Sequence, residues 1–248
     1  MAKDKSRTPI IGFIHVYTVN NWVDILLEQI ERVHNSGLWD KTEKIYIGFV
    51  GSDPEEKISQ IQFDKSSKVK KMFHMEDPEL NDSLTLAMLH QKAMSFNGNI
   101  FYIHSKGVSH HGTRTEQAQT DWRHYMEHFI IEKHEVCFNL LNSADLVGVN
   151  WVKSSDAVAK SKLHGKLVYQ PVTPHLSGNF FWATSTYIRT LPRLFPIQGR
   201  YDCEFWAGRG HEYTVAELWN SGAKHHRNEY PEHLYKDKSN IIYYDGEE

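Results

Sequence analysis

Asn99-Ile100-Phe101-Tyr102-Ile103-His104-Ser105-Lys106-Gly107 holds a short apolar run followed by an abrupt change of chemistry. Ile100 to Ile103 has strand length and reads as a buried strand. Open α/β sheets bind their ligands just outside the carboxyl ends of their strands. His104 and Lys106 stand at such an end, which makes them candidate functional residues. An ordinary polar turn is the alternative reading. His104 alternates with Tyr102, so the two share a strand face. Gly107 suits a close backbone approach or a positive φ.

The surroundings extend the pattern. Thr85 to Phe96, just upstream, reads as a helix with Leu86, Leu89 and Ala93 on one face. Ile10 to Tyr17 reads as a first strand, followed by a helix with Trp22, Ile25, Leu26, Ile30 and Val33 at helical spacing. Asn21 is its candidate cap and Ser36-Gly37 its stop. Lys44 to Val50 reads as a second strand closed by Gly51-Ser52-Asp53-Pro54. Glu55 to Ile61 reads as a short helix and Val69 to His74 as a weaker strand. Strands alternating with helices predict a parallel sheet covered by helices on both faces.

Downstream, Glu116 to Leu141 carries one apolar stripe and reads as a helix. Asp145 to Trp151 reads as a strand. Ser154 to Gly165, small and polar, reads as a mobile loop. Ser185 to Leu191 is predicted as a helix stopped by Pro192, Tyr213 to Asn220 as a late helix, and Ile241 to Tyr244 as an edge strand. No repeat or low-complexity linker interrupts the chain. The expectation is a flexible stretch over residues 1–9 and one compact domain over 10–248, split into halves at 10–107 and 108–248.

With 248 residues, 40% of them hydrophobic, the chain is long enough for a sizeable core. A net charge of −3 excludes a protein that coats nucleic acid. No apolar run approaches the ~18 residues of a membrane span. No signal-peptide pattern follows the polar start, so a soluble, cytoplasmic protein is expected, with peripheral membrane contact left open. The two cysteines, Cys137 and Cys203, form no Cys-x-x-Cys pair. Cys137 reads as a small core residue. The 16 histidines include no His-Glu-x-x-His, and the pairs His110-His111 and His225-His226 read as surface.

The order of these segments, together with Phe-Tyr-Ile-His-Ser-Lys-Gly and the later Pro-His175-Leu-Ser-Gly178-Asn179-Phe-Phe-Trp182-Ala and Arg200-Tyr-Asp202-Cys-Glu204-Phe-Trp206 blocks, resembles GT-A-type glycosyltransferases. The resemblance is to proteins related to the rhamnan-synthesis F group and to viral and bacterial polysaccharide enzymes. It covers roughly residues 10 to 220. It implies a Rossmann-like α/β domain with a mostly parallel central sheet. It also implies transfer of a sugar (hexosyl, deoxyhexosyl or pentosyl) from a nucleoside diphosphate donor to a glycan or glycolipid hydroxyl.

The departure from that family is specific. His104-Ser105-Lys106 occupies the place of the usual Asp-x-Asp, whose carboxylates hold a divalent metal, and no Asp-x-Asp occurs in the chain. A leaving diphosphate needs its charge stabilised. A lysine ammonium can do so, helped by a protonated histidine. The expectation is therefore transfer without a protein-held metal, with Mn²⁺ or Mg²⁺ left open.

What the resemblance implies for individual residues is as follows. His15, Tyr17, Thr18, Asp53, His104, Lys106, Gly107 and Arg123 would bind the donor. His175, Gly178, Asn179, Trp182 and Arg200 would bind sugar or acceptor. Glu204 would take the acceptor proton in an inverting reaction, with Asp202 and Glu212 in reserve. A non-catalytic carbohydrate-binding protein and a nucleotidyltransferase are the rival functions.

Overall fold

The computed structural model describes residues 8–53, 55–61 and 68–246. Most of the amino-terminal stretch expected over 1–9, and Pro54 of the turn after the second strand, lie outside them.

The first half alternates as its sequence predicts. β1 (Ile10–Tyr17) leads to α1 (Trp22–Asn35) and the single turn α2 (Leu38–Lys41), then β2 (Thr42–Val50) and α3 (Glu55–Ser59). β3 (Val69–Met75), α4 (Ser83–Ala93) and β4 (Asn99–His104) follow. Asn21 sits at the start of α1 but makes no side-chain capping bond.

The second half departs from its predicted elements in three places. The expected helix over Glu116 to Leu141 is two helices, α5 (Glu116–Glu127) and α6 (His134–Leu140), joined by a wide turn at His128–Glu132. Trp182 Nε1 donates to the Ile130 carbonyl at 2.8 Å within that turn. A side-chain donor serving a carbonyl at an irregular turn is what stabilises such a break. The predicted strand near Asp145 is β5 (Leu146–Gly148) plus a separate β6 (Trp151–Val152), with Asn150 at positive φ between them.

The predicted mobile loop is β7 (Ser155–Leu163), which pairs antiparallel with β8 (Lys166–Val172). His164 and Gly165 form its turn with φ of 48° and 72°. Two consecutive positive φ values match the right-handed twist of a hairpin. β9 (His175–Leu176), β10 (Phe181–Thr184), α7 (Ser185–Thr190) and α8 (Tyr201–Phe205) come next. The predicted late helix is instead β11 (Thr214–Glu217), and β12 (Ile242–Asp245) ends the described chain. A short apolar run such as Tyr213 to Leu218 has no period that separates helix from buried strand. Pairing with β5 decides it.

Eight strands form one sheet in the order β12-β11-β5-β10-β4-β1-β2-β3. The β4–β1, β1–β2, β2–β3 and β11–β5 pairs are parallel, while β10 and β12 run antiparallel to their neighbours. Alternate residues of the central strands enter two separate cores. Ile14, Val16, Phe101 and Ile103 pack with Trp22, Leu26, Tyr125 and Met126 on one face. Ile11, Phe13, Ile100 and Tyr102 pack with Leu86, Leu89, Tyr187 and Ile188 on the other. Helices therefore cover both faces, and this is an α/β fold. The continuous apolar runs of β1 and β4 follow from burial on both sides. Among the described residues, no helix is long and apolar enough to cross a membrane.

Candidate functional site

β1 lies between β2 and β4, so the chain leaves its carboxyl end in one direction and β4 arrives from the other. Ligands bind at such a reversal in open α/β sheets. Because β10 runs antiparallel with Phe181 opposite Tyr102, the Gly178-Asn179 turn reaches the same end of the sheet. A cleft of about 360 Å³ opens there, lined among others by His15, Tyr17, Asp82, His104, Lys106 and Arg200. A smaller lobe of about 100 Å³ shares Asp82, His104, Lys106 and Arg200 and adds Gly178, Asn179 and Glu204. Nine of the residues singled out from sequence, including Gly107, are brought together in this way.

Two glycines shape the cleft. Gly107 holds φ of 92°, and a Cβ there would sit 3.3 Å from Gln119 Cβ. Gly178 holds φ of 93°, and a Cβ would collide with Met126. The turn over which the Lys106 side chain leaves the sheet is thus available to glycine alone.

Lys106 has its Nζ 3.6 Å from the centroid of the Trp122 ring and makes no ion pair among the described residues. Burial pushes its pKa down to about 8, opposed by the charge of Glu204. A cation with a tryptophan face on one side and no carboxylate in contact is positioned for an anionic ligand. Arg200 is exposed, lines both lobes and likewise makes no ion pair among the described residues. Glu204 accepts a hydrogen bond from the Gly178 backbone at 3.3 Å, which directs its carboxylate into the smaller lobe.

His104 departs from the expected role. Burial lowers its pKa to about 4, so it is neutral at physiological pH and brings no charge to a phosphate. Its Nε2 donates to the Gly178 carbonyl at 3.0 Å, which ties β4 to the turn before β10. Ser105 lies between, and its hydroxyl accepts from the Tyr17 backbone at 2.8 Å.

Asp82, at the start of α4, is a charged cleft residue that the sequence did not single out. Its Oδ2 accepts from the Tyr102 hydroxyl at 2.8 Å, and its Oδ1 lies 3.6 Å from His15 Nε2. Burial alone would raise its pKa, but His15, His104, the Tyr102 hydroxyl and Arg200 outweigh it and hold the carboxyl below its ordinary range. His15 is lowered by burial, with Asp82 opposing, and its Nδ1 meets the Thr85 hydroxyl at 2.9 Å. No local motif marks Asp82; only the fold brings it opposite β1 and β4.

Other predicted residues lie elsewhere. Thr18 is fully buried and donates to the Val50 carbonyl. Asp53 binds Trp22 Nε1 and Lys57 Nζ and lines neither lobe. Arg123 is buried against Glu28 and Glu127, so it is a framework residue and not a donor contact. Trp182 is fully buried and offers no surface to a sugar. His175 accepts burial against Phe205 and meets the Thr173 carbonyl at 2.8 Å. Asp202 is occupied by Gln170, Arg209 and the backbone of Gln198 and Gly199, which leaves it no role as a base. Glu212 precedes β11 at the opposite end of the sheet. His225, expected at the surface, is buried between Trp122 and Tyr125.

The position of the usual Asp-x-Asp does not fit a divalent cation. It offers an ammonium, an imidazole that donates its proton to a carbonyl, and a hydroxyl already accepting a backbone bond. Among the described residues, Glu28, His124 and Glu127 alone bring three ligating atoms within 4.8 Å of one another. Two guanidiniums, Arg32 and Arg123, already occupy those carboxylates.

A family model described as a domain of unknown function, DUF8361, matches residues 13–228. No curated protein matches the chain. Among solved structures, HddC from Yersinia pseudotuberculosis is similar at 10% identity, covering 85% of this chain and 90% of that one, with a TM-score of 0.44. A 4-diphosphocytidyl-2C-methyl-D-erythritol synthase is similar at 10% identity, covering 74% and 78%, with a TM-score of 0.36.

Proposed function

The chain belongs to the DUF8361 family, a domain of unknown function, and from the chemistry of its cleft we propose that it is a glycosyltransferase using a nucleoside diphosphate sugar. One observation carries the reading. Two cations that form no ion pair among the described residues, Lys106 and Arg200, line the same small lobe as the carboxylate of Glu204. An anionic leaving group and a proton-bearing acceptor need that combination side by side.

The donor diphosphate binds against Lys106 and Arg200. The nucleoside extends towards His15 and Tyr17 in the larger lobe. The sugar lies beside Gly178 and Asn179. Glu204 accepts the proton of a glycan or glycolipid hydroxyl as its oxygen attacks the anomeric carbon from the face opposite the diphosphate. The anomeric C–O bond breaks with its electron pair leaving on the diphosphate. Asp82 and His15 bind the polar edge of the donor. The charge is carried by side chains, so the reaction needs no metal at the Lys106 turn.

The test is incubation with a panel of nucleotide sugars and hydroxyl acceptors, with and without chelator. Release of nucleoside diphosphate, undiminished by chelator and abolished in Glu204→Gln, is the expected result. Release of pyrophosphate from a nucleoside triphosphate and a sugar phosphate would replace this reading by nucleotidyl transfer. Binding of sugars without turnover of any donor would make the protein a carbohydrate-binding module.

A further inference from the structure

We propose that the outward face of the β7–β8 ribbon docks on an anionic lipid bilayer. Directly opposed residues in an antiparallel pair share a face. Val158 opposes Pro171, Lys160 opposes Tyr169 and Lys162 opposes Leu167. These six residues form one side of the ribbon. Val158 is 57% exposed, Leu167 45% and Tyr169 60%. Lys160 Nζ stands 5.8 Å from the Tyr169 ring centroid. The other side is turned to the body, with Gln170 buried.

The charge of the ribbon runs against that of the chain. Lys160 and Lys162 stand on the outward side, and over the ribbon as a whole Lys160, Lys162 and Lys166 against Asp156 give +2, in a protein of net charge −3. Basic side chains interleaved with aliphatic and aromatic ones match the headgroup region, where the lysines meet anionic lipid and the rings and aliphatics enter the acyl boundary. A soluble polyanion would use the lysines but leave Val158, Leu167 and Tyr169 without a partner. A second copy would bring the same positive charge against itself.

The ribbon is also fixed beside the cleft. At its base, Gln170 Nε2 donates to Asp202 Oδ1 at 3.0 Å and Gln170 Oε1 accepts from the Tyr201 backbone at 3.3 Å, next to Arg200. At its tip, His164 Nδ1 lies 2.8 Å from Glu79 Oε2, between the cleft residues Pro78 and Asn81. A bilayer held by the ribbon therefore lies along the rim of the cleft.

Vesicle flotation tests this with no reading of catalysis, so it stands or falls apart from the proposed reaction. The intact protein should float with vesicles of phosphatidylcholine and phosphatidylserine, not with phosphatidylcholine alone, and added salt should weaken binding. The double change Lys160→Glu, Lys162→Glu should weaken it on the order of a hundredfold. Leu167→Ser with Tyr169→Ser should weaken it about tenfold, with an unchanged melting temperature in both variants. Failure of the intact protein to float, or flotation that survives both variants, overturns the proposal. Lysine-dependent binding to heparin with no effect of Leu167→Ser and Tyr169→Ser on either ligand would assign the face to a soluble polyanion. A dimer that dissociates in both variants would assign it to a second copy.

Discussion

Two charged clusters flank the end of β4, and they are built oppositely. On the helical side, Glu28, Glu127 and Glu132 meet Arg32 and Arg123 in at least five ion pairs of 2.8–3.2 Å. Burial alone would raise the pKa of Glu28, yet His124 and Arg123 hold it far below the carboxylate range. In the cleft, Lys106 and Arg200 have no carboxylate in ion-pair contact among the described residues, and burial pushes Lys106 down to about 8 against the weaker opposing charges of Glu204 and Asp82. Gln29 Nε2 joins the two, donating to Glu127 Oε1 and to the His104 carbonyl, each at 2.9 Å. A cluster whose charges are mutually satisfied holds the frame. A cluster whose charges are left open holds something that arrives from outside.

The comparison breaks most visibly if the framework cluster is opened. Glu127 is fully buried, and Glu127→Ala leaves both guanidiniums short of a partner. Denaturant unfolding should report a loss of about 3–5 kcal/mol, while the folded fraction keeps its affinity for donor. Lys106→Ala should do the reverse. Donor turnover should fall about 10²–10³-fold, and unfolding should shift by no more than about 0.5 kcal/mol. A Lys106→Ala protein that melts early but turns over normally would erase the distinction between the clusters.

The same contrast explains what the sequence revealed. β1, β2 and β4 are buried on both faces, so each reads as a continuous apolar run, and their ends mark His15, Tyr17, His104 and Lys106. Glu204 and Arg200 were legible through the resemblance of their block. Asp82 was not, because a carboxylate ahead of a helix looks like any cap until β1 brings His15 to within 3.6 Å. Arg123 was misassigned because a helix surface arginine has no sequence mark of its partner, and Glu28 lies 95 residues away. The β7–β8 ribbon was hidden by its solvent-facing lysines, and β11 by being too short to show a period.

A smaller test uses the buried imidazoles. Burial lowers the pKa of both His104 and His225 to about 4, against an ordinary value of 6.5. The unfolded chain therefore binds protons between pH 6.5 and about 4 that the folded protein refuses. Stability is complete above pH 6.5 and falls as the pH drops through that window. For His104 alone the loss amounts to roughly 3 kcal/mol by pH 4. His104→Gln keeps a donor for the Gly178 carbonyl and should flatten the acid limb. A limb unchanged in His104→Gln would mean that His225 or the carboxylates carry it.

The subtlest expected effect is at Trp122, which separates positioning from simple packing. Its ring carries Lys106 at 3.6 Å and stacks on His225 at 5.5 Å. The ring attracts the ammonium, and it also keeps water away from it. Burial is the largest influence on Lys106 and lowers its pKa to about 8. Donor binding should therefore be lost as the pH rises through about 8, where an exposed lysine would hold its charge to about 10.4. Trp122→Leu should weaken donor binding by about threefold to thirtyfold and move that alkaline limb upward as water reaches Lys106. Trp122→Phe keeps an aromatic face and should restore most of the affinity. A weakened Trp122→Leu protein whose alkaline limb stays near pH 8 would reduce Trp122 to a packing residue and leave the charge of Lys106 set by the rest of the cleft.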